Sequence, residues 1–241
     1  IFNTDDAKEL SPHYNPRGVE KAENLASRGR NNLAVHQTAN ALAKRAFVRH
    51  LADVAGKKKN GEPKTILVTA GGVAAGKGYA LGRSPDTNNL MGQSDAVWDT
   101  AGEQNSTELA WVQHEAEKLG FKVTYAYIHA NPETTWDRAL GRAAGKGRMV
   151  DGRLFSESYD LGAKNFSAFH KRQAESKNSA FIFIDNSGDG NPTLVDGMPD
   201  SALKVDAEKV RHRSYNTLSE ADVPDYVKRG GGIGLRVWKD N

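Results

Sequence analysis

The chain has no cysteine among its 241 residues. This absence excludes disulfide bonds, thiolate catalysis and zinc sites built on cysteine. The seven histidines are scattered along the chain and show no metal-ligand spacing, so we predict no histidine-based metal site either. A chain without cysteine is compatible with a cytoplasmic enzyme, and also with a protein secreted unfolded through a specialised apparatus.

Long apolar segments and a strong charge are also absent. No run approaches the roughly 18 apolar residues of a spanning helix, and residues 1–6 contain no basic region followed by an apolar segment, so we expect neither a membrane span nor a secretory signal. A net charge of +3 makes nucleic acid an improbable partner. A hydrophobic content of 38% with 26% charged residues predicts a soluble globular protein.

Predicted strands and helices alternate along most of the chain. The strands fall near 64–70, 96–99, 121–129 and 180–185. The helices fall at 17–29, 31–54, just before Pro85, and at 105–119, 132–143, 155–175 and 206–216, whereas 83–94 reads as a polar loop. Alternation of this kind predicts an α/β fold of the P-loop NTPase type, with a mostly parallel sheet covered by helices on both faces.

We interpret residues 1–241 as a single domain in three parts. Residues 1–60 form an N-terminal helical extension, 64–185 a nucleotide-binding core, and 186–241 C-terminal loops and helices. Ligands of parallel sheets bind beyond the carboxyl ends of the strands. We therefore expect the functional residues to lie after the strands of the core.

The segment from Thr65 to Gly78 contains the strongest motif. A short apolar strand leads into a glycine-rich turn that ends in Gly76-Lys77, the layout of a phosphate-binding P-loop. Backbone N–H groups of such a turn point at an anion, and the lysine reaches the terminal phosphates. The predicted nucleotide contacts are Gly71, Gly72, Val73, Ala74, Ala75, Gly76, Lys77 and Gly78.

Two features of this motif keep other functions open. A standard P-loop has Ser or Thr after the lysine to hold Mg²⁺, and this chain has Gly78. A dinucleotide-binding turn, Gly-x-Gly-x-x-Gly, fails in register because Val73 stands where its second glycine belongs, although an acid ending the second strand would suit it. A degenerate nucleotide-binding module and a dinucleotide-binding oxidoreductase therefore remain alternatives.

Asp99 ends the second predicted strand. A carboxylate at this position can accept a proton from an attacking hydroxyl or anchor Mg²⁺, and the alternative is that it caps the turn over 100–103. Glu103, in that turn, is a candidate substrate contact. The run Trp98–Gln104 resembles the Asp-x-x-Gly switch of small GTPases, but the chain lacks the guanine-reading Asn-Lys-x-Asp, which argues against a GTPase.

Arginines follow the third strand. Arg138 and Arg142 are four residues apart and share a helix face, and Arg148 follows in a glycine-containing loop. Guanidinium groups suit the charge of a phosphoryl group in transfer, and the alternative is an exposed basic surface. His129, at a strand end, is a candidate substrate neighbour. We expect Trp111, Trp136, Tyr159 and Phe166 to be core residues.

Residues 65–169 together resemble the zeta-toxin-like P-loop kinases. The resemblance rests on the glycine-rich loop with Lys77, the strand-end Asp99, a Gly-Phe-x-Val strand start at 120–123, the Arg138/Arg142 pair and a Gly-Arg-x-Val loop at 147–150. It implies an ATP- and Mg²⁺-dependent kinase that phosphorylates a hydroxyl of a small nucleotide-like metabolite, such as a UDP-amino sugar or NAD.

The same resemblance implies residue roles and a biological setting. Lys77 would bind the β- and γ-phosphates, Asp99 would act as the base and metal ligand, Arg142 and Arg148 would stabilise the moving phosphoryl group, and Arg138 would contact the substrate. It further implies a bacterial or phage-encoded cytoplasmic toxin or an effector delivered to a host cell, with a small neutralising antitoxin-type protein as its partner.

Overall fold

The structure is a computed structural model that describes residues 1–59, 61–83, 85–101, 105–147, 152–188 and 191–205. Its helices are α1 (Thr4–Lys8), α2 (Lys21–Asn31), α3 (His36–Lys57), α4 (Lys77–Arg83), α5 (Pro85–Gln93), α6 (Asn105–Lys118), α7 (Pro132–Lys146), α8 (Gly152–Gln173) and α9 (Asp200–Leu203). Its strands are β1 (Thr65–Ala70), β2 (Ala96–Asp99), β3 (Lys122–His129), β4 (Ser179–Asp185) and β5 (Thr193–Val195).

The five strands form one sheet in the order β2-β1-β3-β4-β5. The first four are parallel and β5 is antiparallel to β4. This confirms the predicted α/β class with a mostly parallel sheet. Thr69 pairs with Asp99, and His129 pairs with Asp185, so the carboxyl ends of the parallel strands lie at one edge.

Apolar side chains cover both faces of the sheet, because successive residues of a strand point to opposite faces. On one face, helices α3, α6 and α8 pack against strand residues that include Ile66 and Val68. On the other face, α4 and α5 pack against a smaller cluster around Leu67. The predicted core aromatics Trp136, Tyr159 and Phe166 are buried, and Trp111 packs against the first cluster.

The N-terminal segment is tied to the sheet at two places. Phe2 forms a parallel bridge with Trp98, with hydrogen bonds of 2.7 and 2.9 Å between its backbone and strand β2. Helix α3 contributes Phe47 and Leu51, both 0% exposed, to the main core. The ring of Phe47 lies 5.1 Å from that of Trp98, an aromatic contact that fixes α3 on the sheet.

The segment predicted as a loop over 83–94 is instead helix α5 for most of its length. Proline at the first helical position is favourable because its missing N–H has no intrahelical acceptor there. Leu90 and Met91 pack against the second core cluster, and Thr87 donates to the Leu81 carbonyl at 3.0 Å. Tertiary burial therefore stabilises a helix whose sequence is polar and weakly helical.

Three short elements were not predicted: α1, β5 and α9. Each has five residues or fewer, too few for a hydrophobic period to appear in the sequence. The predicted helix over 206–216 lies outside the described residues. Among the residues that the structure describes, none of the helices combines the length and apolar character needed to cross a bilayer.

Asp95 holds together the amino-terminal ends of strands β1 and β2. Its carboxylate accepts hydrogen bonds from the Thr65 backbone at 2.8 Å and from Lys58 Nζ at 2.7 Å. We expect Asp95→Ala to lower the free energy of unfolding by roughly 1–3 kcal/mol, because it leaves a part-buried N–H without an acceptor. Urea denaturation measures this change.

Asp53→Ala is the matched control for Asp95→Ala. The Asp53 carboxylate also pairs with a lysine, Lys57, at 2.6 Å, but both side chains are largely exposed. Exposed pairs contribute little to stability, so this variant should unfold at nearly the same urea concentration as the wild type. Equal losses in the two variants would contradict the role assigned to Asp95.

Candidate functional site

The glycine-rich turn, residues 71–76, connects the end of β1 to the start of α4 and lies at the carboxyl edge of the sheet. We call it the glycine loop. Three of its residues have a positive φ: Gly71 at 149°, Ala74 at 59° and Gly76 at 75°. Gly71 also packs so closely on β3 that a Cβ there would lie 2.3 Å from the Ile128 carbonyl oxygen. The loop conformation and position therefore require glycine at this point.

Side chains from two distant parts of the chain bind the backbone of the glycine loop. Ser158 Oγ accepts from the Val73 N–H at 3.0 Å, and the Tyr159 hydroxyl donates to the Val73 carbonyl at 2.8 Å. Asn186 Nδ2 donates to the Ala75 carbonyl at 2.8 Å. Ser158 and Asn186 were not among the predicted site residues, and Tyr159 was predicted only as core. No spacing pattern indicates such contacts, because they join residues 85 to 111 positions apart.

The Tyr159 ring lies directly against Gly72. A Cβ at Gly72 would approach the ring carbon Cζ to 2.4 Å. Burial raises the pKa of the Tyr159 hydroxyl, and the charges of Arg138 and Arg142 act in the opposite direction. The hydroxyl is therefore protonated near neutral pH and available as a donor to the loop.

Several backbone N–H groups at the end of the loop have no acceptor in the described part of the chain. The N–H of Ala75 bonds to Gly72, and that of Ala80 bonds to Gly76. The N–H groups of Ala74, Gly76 and Lys77 bond to none of the described residues. Unpaired N–H groups in a turn that leads into a helix form an anion-binding concavity.

Lys77 and Asp99 meet beside this concavity. Lys77 Nζ lies 3.7 Å from Asp99 Oδ1, and the same carboxylate oxygen accepts from Thr69 Oγ1 at 2.7 Å. Both side chains are partly exposed, at 17% and 35%. Asp99 is thus linked to strand β1 through Thr69 and to the start of α4 through Lys77. Thr100, which follows Asp99, donates its hydroxyl to Glu108, and residues 102–103 of the turn that Asp99 was alternatively expected to cap lie outside the described residues.

Helix α7 brings Arg138 to the same place. Its Nη1 lies 3.9 Å from the position that a Cβ on Gly76 would occupy. Arg142 Nε is buried and has no hydrogen-bond partner among the described residues, and the charges of both arginines act on the Tyr159 hydroxyl. The structure therefore brings Arg138 to the glycine loop beside Lys77 and Asp99, and it places Arg142 where its charge acts on Tyr159. Glu103 and Arg148 lie outside the described residues.

His129 does not line the glycine loop with its side chain. The residue is 3% exposed, and its Nε2 lies 3.1 Å from Ser201 Oγ of α9. Burial lowers the pKa of the His129 ring, with Asp185 acting weakly in the opposite direction. Its backbone is closer to the site, since its carbonyl accepts from the Asn186 N–H at 2.7 Å.

Gly78 faces open space at the start of α4. Apart from its chain neighbours and its own helix backbone, no heavy atom of the described residues lies within 4 Å of a Cβ built on it, and its φ is outside the left-handed region. The structure thus leaves room for the serine that a standard P-loop carries. Among the described residues, no group of three or more His, Asp or Glu could hold a metal ion by itself.

Comparison with known proteins gives a fold likeness. A scan against protein-family models and a search of curated proteins find no match. Among solved structures, a chain of the AvrRxo1-ORF1:AvrRxo1-ORF2 crystal structure with sulfate ions matches at 13% identity and a TM-score of 0.50, over 94% of this chain and 91% of that one. At this identity the likeness shows a shared fold.

Two further chains come from crystal structures of the same complex. The native complex matches at 12% identity and a TM-score of 0.49, over 91% of this chain and 83% of the other. The complex with ATP matches at 14% identity and a TM-score of 0.48, over 93% and 94%.

Substitution of Gly72 tests the fit of the loop against Tyr159. We expect Gly72→Ala to lower the free energy of unfolding by roughly 1–3 kcal/mol, because the added methyl group overlaps a buried ring that has no room to move. Gly78→Ala is the control: it meets no neighbour, and a helical Gly-to-Ala change stabilises by up to about 1 kcal/mol. Thermal or urea unfolding of both variants measures the difference, and a Gly72→Ala protein as stable as wild type would contradict the contact.

Proposed function

We propose that this protein is an ATP-dependent kinase that phosphorylates a hydroxyl of a small nucleotide-type metabolite. The observation that carries the proposal is the approach of Lys77 Nζ to Asp99 Oδ1, at 3.7 Å, beside the N–H groups of Ala74, Gly76 and Lys77, which bond to none of the described residues. A cation and backbone donors suit the phosphates, and a partly exposed carboxylate next to them suits a proton acceptor. The glycine loop is then a P-loop.

Each residue of the site has a role in this proposal. The glycine loop and Gly78 surround the β- and γ-phosphates with backbone donors, and Lys77 binds their charge. Asp99 accepts the proton of the attacking hydroxyl, held in place by Thr69. Arg142 stabilises the charge that spreads over the transferred group, since a planar guanidinium group matches phosphate oxygens, and Arg138 contacts the substrate. By the resemblance to the kinase family, Arg148 acts together with Arg142, and Glu103 is a further candidate substrate contact.

The donor groups present are compatible with Mg²⁺. Magnesium is usually held by one or two carboxylates together with substrate phosphates and water, and Asp99 is a carboxylate at the right place. When bound, Mg²⁺ would neutralise charge on the phosphates of ATP, which would supply the phosphoryl group. Because Gly78 provides no hydroxyl, Asp99 is the side chain that would hold the ion.

We further propose a toxin or effector role with an antitoxin-type protein as partner. The structure that shares this fold was solved as a complex of two proteins, AvrRxo1-ORF1 and AvrRxo1-ORF2, together with sulfate ions. Sulfate has the shape and charge of a phosphate group. The two kinds of ligand proposed here, a phosphate group and a partner protein, therefore each have a counterpart in that complex. By the resemblance, the protein acts in the cytoplasm of a bacterium or of a host cell.

Phosphate transfer tests the proposed activity. Wild-type protein with Mg²⁺ and labelled ATP is offered UDP-amino sugars, NAD and nucleosides, and we expect transfer to at least one of them. Asp99→Asn should lower kcat by about 10²- to 10⁴-fold, the range for a general base. Lys77→Ala should weaken ATP binding by roughly tenfold or more, because a cation facing phosphate is lost.

Lys57→Ala is the control for these variants, because this lysine is exposed at the end of α3 and, within the described part of the chain, pairs only with Asp53. It should keep the wild-type rate. Absence of transfer to every acceptor, with identical behaviour of wild type and Lys77→Ala, would contradict the proposed activity. Tight NAD(H) binding without competition by ATP would favour the dinucleotide-binding alternative.

Gly78 favours a second candidate function, a module that binds nucleotide or a partner protein without turnover. A variant that restores the hydroxyl distinguishes the kinase from this module. In a kinase, Gly78→Ser should lower the Mg²⁺ concentration needed for half-maximal transfer, because the new side chain has open space beside the phosphates. Gly82→Ser, on the same helix with no neighbour within 4 Å, should leave it unchanged. ATP binding that is insensitive to Mg²⁺ in both variants, without transfer, would favour the module.

A further inference from the structure

Side chains donate to two carbonyl groups of the glycine loop, those of Val73 and Ala75. Tyr159 donates to the Val73 carbonyl at 2.8 Å, and Asn186 donates to the Ala75 carbonyl at 2.8 Å. Both donors are fixed in the protein: Tyr159 is 1% exposed and Asn186 is 4% exposed. Neither residue is part of the glycine loop or of α7, the helix that carries Arg138 and Arg142.

Binding a carbonyl also orients the next amide. In a trans peptide, the C=O of one residue and the N–H of the following residue lie in one plane and point in opposite directions. The Val73 carbonyl turned toward Tyr159 therefore directs the Ala74 N–H away from α8. The Ala75 carbonyl turned toward Asn186 likewise directs the Gly76 N–H away from the end of β4. These are two of the N–H groups that bond to none of the described residues.

The Val73 N–H, unlike those of Ala74 and Gly76, is bonded within the protein. It donates to Ser158 Oγ at 3.0 Å, and Ser158 is 0% exposed. Ser158 and Tyr159 thus hold both sides of Val73, which leaves this residue no freedom to turn its N–H toward a ligand. Tyr159 is itself held, because its hydroxyl also lies 2.7 Å from Thr135 Oγ1 of α7.

We propose that Tyr159 and Asn186, with Ser158, are positioning residues that set the glycine loop in its anion-binding form before a ligand arrives. This inference rests on the proposed phosphate-binding function of the loop. Ala74 is the reason such residues are needed, because a non-glycine residue at a φ of 59° is strained and persists only when its surroundings hold it. Donors aligned in advance bind more tightly, because no ordering remains to be done on binding.

The proposal predicts a loss specific to phosphate. Tyr159→Phe keeps the ring against Gly72 but removes the donor to Val73, so the Ala74 N–H loses its orientation. We expect affinity for ATP and for inorganic pyrophosphate to fall about three- to tenfold, the fold-change for one hydrogen bond. Affinity for adenosine should not change, because adenosine has no phosphate group for the loop to bind. Isothermal titration calorimetry on the full chain measures all three ligands.

Tyr125→Phe is the matched control. Tyr125 is equally buried, at 0% exposure, and its hydroxyl bonds to Gln113 at 2.9 Å, away from the loop. Both variants lose a buried hydroxyl and should lose similar thermal stability, but only Tyr159→Phe should lose pyrophosphate affinity. Asn186→Ala provides a second test of the same kind through the Gly76 N–H, in case one variant folds poorly.

The outcomes distinguish this inference from the proposed function. Wild-type protein that binds neither ATP nor pyrophosphate would overturn both. Wild-type binding with unchanged pyrophosphate affinity in Tyr159→Phe and Asn186→Ala would overturn the positioning role alone. Equal losses for pyrophosphate, adenosine and ATP, matched by Tyr125→Phe, would reduce Tyr159 to a general packing residue and overturn the role as well.

Discussion

The rest of the site depends on the fixed position of strand β1. This strand is paired on both sides, and its apolar residues are buried on both faces of the sheet. Leu67 and Val68 are each 0% exposed, on opposite faces. A strand held in this way cannot shift its register without exposing a full set of apolar side chains. The chain therefore leaves the sheet at Ala70, and the turn that follows must cross the carboxyl end of β3, where only glycine fits at position 71.

The site is assembled around this exit point by elements from the whole length of the described chain. Strand β2 lies next to β1 and places Asp99 opposite Thr69. Helix α7 brings Arg138, helix α8 brings Tyr159, and the residue after β4 is Asn186. Parallel strands make this convergence inevitable, because every one of them ends at the same edge. The cationic and backbone donors gathered there explain why phosphate is the ligand that we propose.

The fold and the center of the site could be predicted from the sequence to different degrees. The four parallel strands and the longer helices follow from hydrophobic periodicity, and the glycine loop with Lys77 follows from a motif whose residues are consecutive. Helix α5 was missed because burial of Leu90 and Met91, rather than local propensity, stabilises it. His129 was expected to face substrate because it ends a strand, but the short helix α9, with Ser201 against the ring, covers its side chain.

The alternation of strands and helices, the glycine loop and the acid at the end of β2 could all be predicted without a structure, since each depends on residues that are neighbours in the chain. The side chains that hold that loop could be identified only in the folded chain. Ser158, Tyr159 and Asn186 reach it through hydrogen bonds to main-chain atoms, and such bonds require no particular residue at the other end. A contact to the backbone leaves no pattern in the partner's sequence, and so it can be found only after the chain has folded.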